Sequence, residues 1–286
     1  MWGFYFLIMR ISVINTCYNE ESIMPFFLEY YTSFCNEIIF FDGNSTDNTH
    51  EIIKSYIGKT KCNIELRINH SIGTNDGYSE NILEELNYDR NLSLLYIRNN
   101  AWKSLFSKDL NDWILIVDAD EFLYHPIGLR KKLELFRKDG ITFPTIQGFN
   151  MISDDYPEFE KGRFLCEKIK SGYWFQYSSK NLIFDSKQIT DINYQPGCHD
   201  CDPKGNVNKD QERFIDNIKL MHYKYICYEH FIKKEQSKFN HLSEINKKYW
   251  WGTHYKHNKD MMISEWERFK IDKNYFVDVT KASEIH

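Results

Sequence analysis

The 286 residues are 42% hydrophobic and 27% charged, with 6 Pro and 13 Gly, which excludes a disordered, collagen-like or low-complexity chain. A formal net charge of −5 leaves no global positive field, so nucleic acid is not an expected partner. Seven cysteines, an odd number scattered through a chain long enough to bury a large core without staples, read as reduced thiols.

Trp2–Met9 is a mostly apolar run with no basic stretch before it, no small-residue cleavage site after it and too few residues to cross a bilayer. The expected location is the cytoplasm, with residues 1–8 either an added strand or a peripheral contact with a membrane surface. Next come two apolar runs, Ile11–Asn15 and Glu37–Phe41, each followed at once by polar turn formers. Runs of this length suit strands buried on both faces of a parallel sheet. Helical spacing covers Ser22–Phe34, with Pro25 early, and Thr49–Tyr56, behind the capping-type Ser45-Thr46-Asp47. The pattern is β-α-β-α, the opening of a nucleotide-binding α/β half. A strand is expected at Ile64–Ile68 and helices at Ser79–Leu86 and Ala101–Leu110, whereas Leu92–Ile97 fits no element. Trp113–Val117 reads as another buried strand and Ile127–Arg137 as a helix. Strands are expected at Thr145–Met151, Tyr173–Tyr177 and Leu182–Phe184, and helices at Glu229–Tyr249 and Met261–Lys270. With no repeat and no flexible linker, the expectation is an α/β domain over 1–228, a mostly parallel sheet flanked by helices, with a helical C-terminal extension over 229–286 packed on it.

The acidic segment Asp118-Ala119-Asp120-Glu121 follows the third buried strand directly. Side chains alternate along a strand, so Asp118 and Asp120 can point one way and Ala119 another. Two close carboxylates repel unless a cation joins them, and a hard divalent metal does so. The competing reading is an acidic helix start facing the helix dipole. Thr16, Asn19, Glu20, Asp42, Asn44 and Asp47 fall at the other strand ends, where open α/β sheets bind ligands. Capping and Asx turns use the same residue types.

Together these segments resemble glycosyltransferase family 2, a group of GT-A enzymes, over roughly residues 10–230. The matching pieces are Ser12-Val-Ile-Asn-Thr-Cys-Tyr-Asn-Glu-Glu21, Phe41-Asp-Gly-Asn-Ser-Thr-Asp-Asn-Thr49 and Val117-Asp-Ala-Asp-Glu-Phe-Leu123. Within the family the chain looks like the branch with a Pro-Gly-Cys-His segment, here Pro196–His199, then His222-Tyr223-Lys224, then Trp251-Gly252-Thr253-His254-Tyr255. The resemblance implies a GT-A fold and transfer of a hexose or N-acetylhexosamine from a UDP-sugar, with inversion, to a glycan, lipid-linked or protein acceptor. It implies Asp118 and Asp120 as ligands of Mn2+ or Mg2+, with His199 and His222 as candidates for a further ligand. Thr16, Tyr18, Asn19, Glu20, Asp42, Asn44, Asp47, Asp118 and Ala119 would contact the nucleotide sugar. Many members carry two consecutive acids at the second strand end, but here the pair is Asp42-Gly43, so base recognition falls to Asp42, Asn44 or another group. Arg98, Asn100 and Lys103 lie where the family approaches the donor, either as phosphate partners or as a solvated helix face.

Inversion needs a carboxylate to take the acceptor proton. Asp154, Asp155 and Glu158, in a run beginning at Gly148 and read as an acceptor-side loop, are candidates, with Asp200 an outsider; Asp155 is preferred. Cys198-His199-Asp200-Cys201 lacks the second Cys pair of a structural zinc site and reads better as a loop delivering His199. Sugars stack on aromatic rings, so Trp102, Trp174, Trp250 and Trp251 are candidate lining residues. The basic, aromatic stretch 246–256 would cover the acceptor, form a homodimer through the C-terminal helices or touch a membrane. The rival from another class is a non-catalytic sugar-nucleotide or glycan-binding module.

Overall fold

Ile11–Cys17 (β1) is buried at every position, as an unbroken apolar run must be when both faces of a parallel sheet are covered. The computed structural model describes residues 9–68, 90–106, 112–195, 198–210, 217–240, 259–271 and 276–281. The expected helix at 79–86, the part of the helical pattern 229–249 beyond Asn240, residues 1–8, Pro196-Gly197 and Trp250 to Tyr255 lie outside the described residues.

β1 is followed by Met24–Thr32 (α1), Glu37–Asp42 (β2), Thr49–Tyr56 (α2) and Asn63–Ile68 (β3). Then come Arg90–Leu105 (α3), Trp113–Asp118 (β4), Glu121–Tyr124 (β5) and Leu129–Lys138 (α4). The first sheet has the order β3-β2-β1-β4-β8, with Ile183–Asp185 (β8) antiparallel at its edge and the other four strands parallel. The α/β class is therefore as the apolar runs predict. Strand order reverses between β2 and β4 on either side of β1, the position where open α/β sheets bind ligands. Register aligns the ends there, pairing Thr16 with Asp118 and Cys17 with Asp42.

A second sheet has the order β12-β7-β6-β11-β5, built from Val277–Asp278 (β12), Ser171–Trp174 (β7), Ile146–Ser153 (β6), Ile218–Ile226 (β11) and β5, while Leu165–Lys168 is a short helix (α5) and Ile189–Asp191 (β9) pairs with Lys204–Gly205 (β10). β5 begins only three residues after β4 ends, so the turn carrying Asp118 to Glu121 joins the two sheets. Helix α1 holds this junction. Tyr31 donates to Glu121 O at 2.8 Å and Tyr30 to Leu123 O at 2.7 Å, while Phe122 packs among Phe27, Tyr30, Tyr31 and Tyr223. Burying a ring such as Phe122 stabilises by about 1.5–3 kcal/mol, so the acidic turn rests on a stiff base.

Several elements differ from expectation. Helix α3 starts at Arg90 and takes in Leu92–Ile97, which fitted no element, because tertiary contacts and not apolar spacing support it. Trp102 is core: it is 1% exposed and edge-on to Phe184 at 4.9 Å. The strand expected at 173–177 is β7 followed by a 3-10 turn at Gln176–Ser178. That turn presses on Gly148, where an added Cβ would lie 2.1 Å from the Ser178 carbonyl carbon. Gly148 is thus mid-strand, not the start of a loop. β11 carries the His-Tyr-Lys segment and follows period-two logic: Tyr223 is fully buried, while Lys224 lies 3.3 Å from Glu235. Beyond it, Tyr228–Asn240 (α6) and Lys259–Ile271 (α7) form a small second core of Tyr225, Phe231, Met262 and Trp266. All seven cysteines are unpaired. Among the described residues no helix is long and apolar enough to cross a membrane.

Candidate functional site

Asp118 ends β4 in a nest of cations. Arg98 of α3 forms an ion pair with its Oδ1 and Lys180 lies 3.8 Å from Oδ2. Thr16, opposite it in register, donates to Oδ1 at 3.1 Å and accepts from Arg98 at the same distance. Burial alone would raise the Asp118 carboxyl, but Arg98 and Lys180 outweigh it and hold the pKa below the ordinary carboxylate value. Glu121, 1% exposed, accepts from the Asp118 amide at 2.9 Å with one oxygen and pairs with Lys180 at 2.5 Å with the other. Burial would discharge Lys180; Glu121 and Asp118 reverse that and keep it a firm cation.

Asp120, two residues on, has a different set of partners. Its Oδ2 lies 2.7 Å from Lys234 of α6, which also reaches Glu20 at 3.1 Å. Against burial, these two carboxylates raise the Lys234 pKa. His222 Nε2 stands 3.6 Å from Asp120 Oδ1, beyond a hydrogen bond but within the span of two ligands on one cation with bonds of about 2.1 Å. Among the described residues no three His, Cys, Asp or Glu side chains converge as a ready cage. Cations such as magnesium are commonly held by one or two carboxylates plus substrate phosphates; Asp120 with His222 across from it is a pair suited to that manner of binding, while Asp118 is taken up by Arg98 and Lys180. His199 stands near this group at the protein surface, where partial desolvation by its neighbours and then the Lys180 charge hold its pKa below the usual imidazole value.

The strand-end residues named from sequence split into two kinds. Thr16 and Glu20 reach the acid group. Asn19, Asp42 and Asp47 instead clamp the first two loops together. Asn19, at φ 54°, donates its amide to Ser45 Oγ at 2.8 Å and accepts from the Thr46 amide at 2.7 Å. Asp47 accepts from the amides of Glu21 and Thr49, an Asx turn that starts α2. Asp42 is fully buried: one oxygen takes the Ser45 amide at 2.6 Å and faces His50 Nε2 at 2.6 Å, and the other takes the Ser45 hydroxyl at 2.7 Å. Tyr18 is half-buried, Asn44 exposed at φ 64° and Ala119 buried.

Of the three α3 residues, only Arg98 faces the acids, since neighbours two and five positions on point elsewhere around a helix. Asn100 donates back to Tyr96 O, and Lys103 pairs with Asp191 at 3.1 Å. Arg98 also donates to Cys198 Sγ at 3.5 Å, tying α3 to the loop before His199. Asp154 and Asp155 are exposed just past β6, and between that pair and α6 it is Tyr156 that comes inward, its ring 4.8 Å from His230. Trp174 is 45% exposed and, with Phe175 and Tyr177, fronts the turn that leads into Lys180. Sequence reasoning missed Lys180, Lys234 and His50 and left Glu121 without a role. Glu121 alone carried a local signal, its place in the acidic segment.

No protein-family model matches this chain, and no curated protein does. Among solved structures, S. aureus TarS 1–349 in complex with UDP-GlcNAc is similar over 82% of this chain and 66% of that one, at 13% identity and a TM-score of 0.40. S. aureus TarS 1–349 in complex with UDP aligns over 62% of this chain at 17% identity and a TM-score of 0.34, and there the chain spans about half, 47%, of that structure. Core-mannan synthase A from Aspergillus fumigatus in its Mn/GDP form aligns over 51% of this chain and 43% of its own, at 18% identity and a TM-score of 0.27. At these scores the likeness is distant.

Proposed function

We propose that the chain is a metal-dependent inverting glycosyltransferase of GT-A type that moves a hexose or N-acetylhexosamine from a UDP-sugar to an acceptor hydroxyl. The observation that supports this most is the meeting of Glu20, Asp118, Asp120 and Glu121 with Arg98, Lys180 and Lys234 at the point where strand order reverses. A structural ion-pair network would serve stability anywhere; one at the ligand-binding end of a parallel sheet, with a histidine beside it, suits a charged ligand.

In the proposed reaction the acceptor oxygen bonds to the anomeric carbon as the bond to the diphosphate oxygen breaks. Negative charge grows on the leaving diphosphate, and Arg98 and Lys180 lie ready to stabilise it. Asp118 and Asp120, with His222 and then His199, would hold a divalent cation, which when bound supplies Lewis-acid stabilisation of the same leaving group. An imidazole beside carboxylates favours manganese over magnesium. Asp155, with Asp154 as the alternative, would take the acceptor proton. The exposed Trp174, Phe175 and Tyr177 offer rings for an acceptor sugar to stack on.

Calorimetry with UDP and GDP, with and without Mn2+, tests the donor side, and the anomeric configuration of the product by NMR tests inversion. Tighter binding of UDP in the presence of Mn2+ is expected. A preference for GDP, or full activity in excess EDTA, would overturn the donor or the metal assignment. Nucleotide binding without transfer or hydrolysis of any sugar would make the chain the binding module instead.

A further inference from the structure

Helix α6 belongs to the C-terminal part of the chain, yet it places one ammonium in the acidic turn. Lys234 Nζ touches Asp120 at 2.7 Å and Glu20 at 3.1 Å with its side chain only 11% exposed. The placement is specific to this position. Lys233, about 100° around the helix, is 77% exposed and no nearer than 3.9 Å to Glu21. The helix is anchored by Phe231, which packs on Tyr225 at 5.2 Å and Trp266 at 5.7 Å. Its backbone is therefore fixed while the four-carbon lysine stem can swing. On the same carboxylate of Asp120, Lys234 holds Oδ2 and His222 faces Oδ1. A dication joining Asp120 to His222 would face a monocation across one carboxylate, and like charges at that range repel strongly in a partly buried site.

We infer that Lys234 and the divalent cation compete for Asp120, so that the C-terminal helix supplies a tethered counter-ion which the cation must displace. This rests on the reading of Asp120 as a metal ligand. Removing the lysine charge would leave a site of higher negative charge and tighter metal binding. Replacing it by arginine would strengthen the hold, because a guanidinium grips a carboxylate with two parallel bonds.

The test is Mn2+ binding alone, followed by calorimetry and by loss of the free-ion electron paramagnetic resonance signal, on the full chain at pH 7. Lys234→Gln should bind Mn2+ at least about tenfold more tightly than the wild type, and Lys234→Arg more weakly. The arginine variant keeps the charge and guards against the case in which the glutamine variant does not fold. Equal Mn2+ affinity in the wild type and the folded variants would overturn the inference and leave the metal assignment standing. No Mn2+ binding by any of them would overturn both.

Discussion

Lys180→Met tests whether the acidic turn is held by its buried ion pair. Lys180 Nζ lies 2.5 Å from Glu121 Oε1, with side-chain exposures of 10% and 1%, and 3.8 Å from Asp118. At an effective dielectric of about 20, unit charges at this separation attract by roughly 6–7 kcal/mol before desolvation is counted. Losing one partner of such a pair leaves an uncompensated charge and costs about 3–5 kcal/mol. Glu121→Gln should cost less, about 1–2 kcal/mol, because the amide can still accept from the Asp118 backbone and Lys180 keeps Asp118. The double variant should be less destabilised than the two single costs added, by about 2 kcal/mol, since neither residue is then left charged and alone. Urea unfolding of the four proteins at pH 7 gives each value. A loss below about 1 kcal/mol for Lys180→Met, with no coupling to Glu121, would refute the buried-pair reasoning.

The remaining expectations concern Asp118, Asp155 and Gly148. The folded-state pKa of Asp118 is depressed, so its stabilisation is present above the unfolded value of about 3.9 and is lost as pH falls through the lower folded value. Asp118→Asn should thus be less stable than the wild type by about 1–3 kcal/mol at pH 7, and the gap should close on acidification below pH 4; a pH-independent gap would contradict this. Asp155→Asn should leave UDP affinity unchanged in calorimetry and lower turnover by about 10²–10⁴; a wild-type rate there, with a slow Asp154→Asn, would move the base by one residue. Gly148→Ala pushes a methyl group to 2.1 Å from Ser178, so it should cost at least about 1–3 kcal/mol, and a melting temperature equal to wild type would show that the turn simply yields.

Local order explains what was legible without coordinates. The runs at 11–15, 37–41 and 113–117 are dominated by β-branched and aromatic residues, and all three form strands of one sheet. Thr49–Tyr56 is a helix over the predicted range because its start signal, Asp47 accepting from Thr49, lies within two residues of it. The acidic segment was legible for the same reason: strand, turn and carboxylates are consecutive. Helix α3 was only half legible, since Trp102 and Ile97 are buried by tertiary contacts that its weak apolar spacing does not advertise.

What only the tertiary structure decided is how the acids are neutralised. Glu121 meets Lys180 across 59 residues and Asp120 meets Lys234 across 114. A lone lysine in a helix or before a strand looks the same whether it is solvated or buried against a carboxylate, because charge pairing over such separations leaves no periodic trace in the chain. Asp42 is a short-range case: its partners Ser45 and His50 stand three and eight residues on, and its burial follows from the loop closing over it. Periodicity sets where strands end, while the packing of helices α3 and α6 and of the turn before β8 sets which charges meet there.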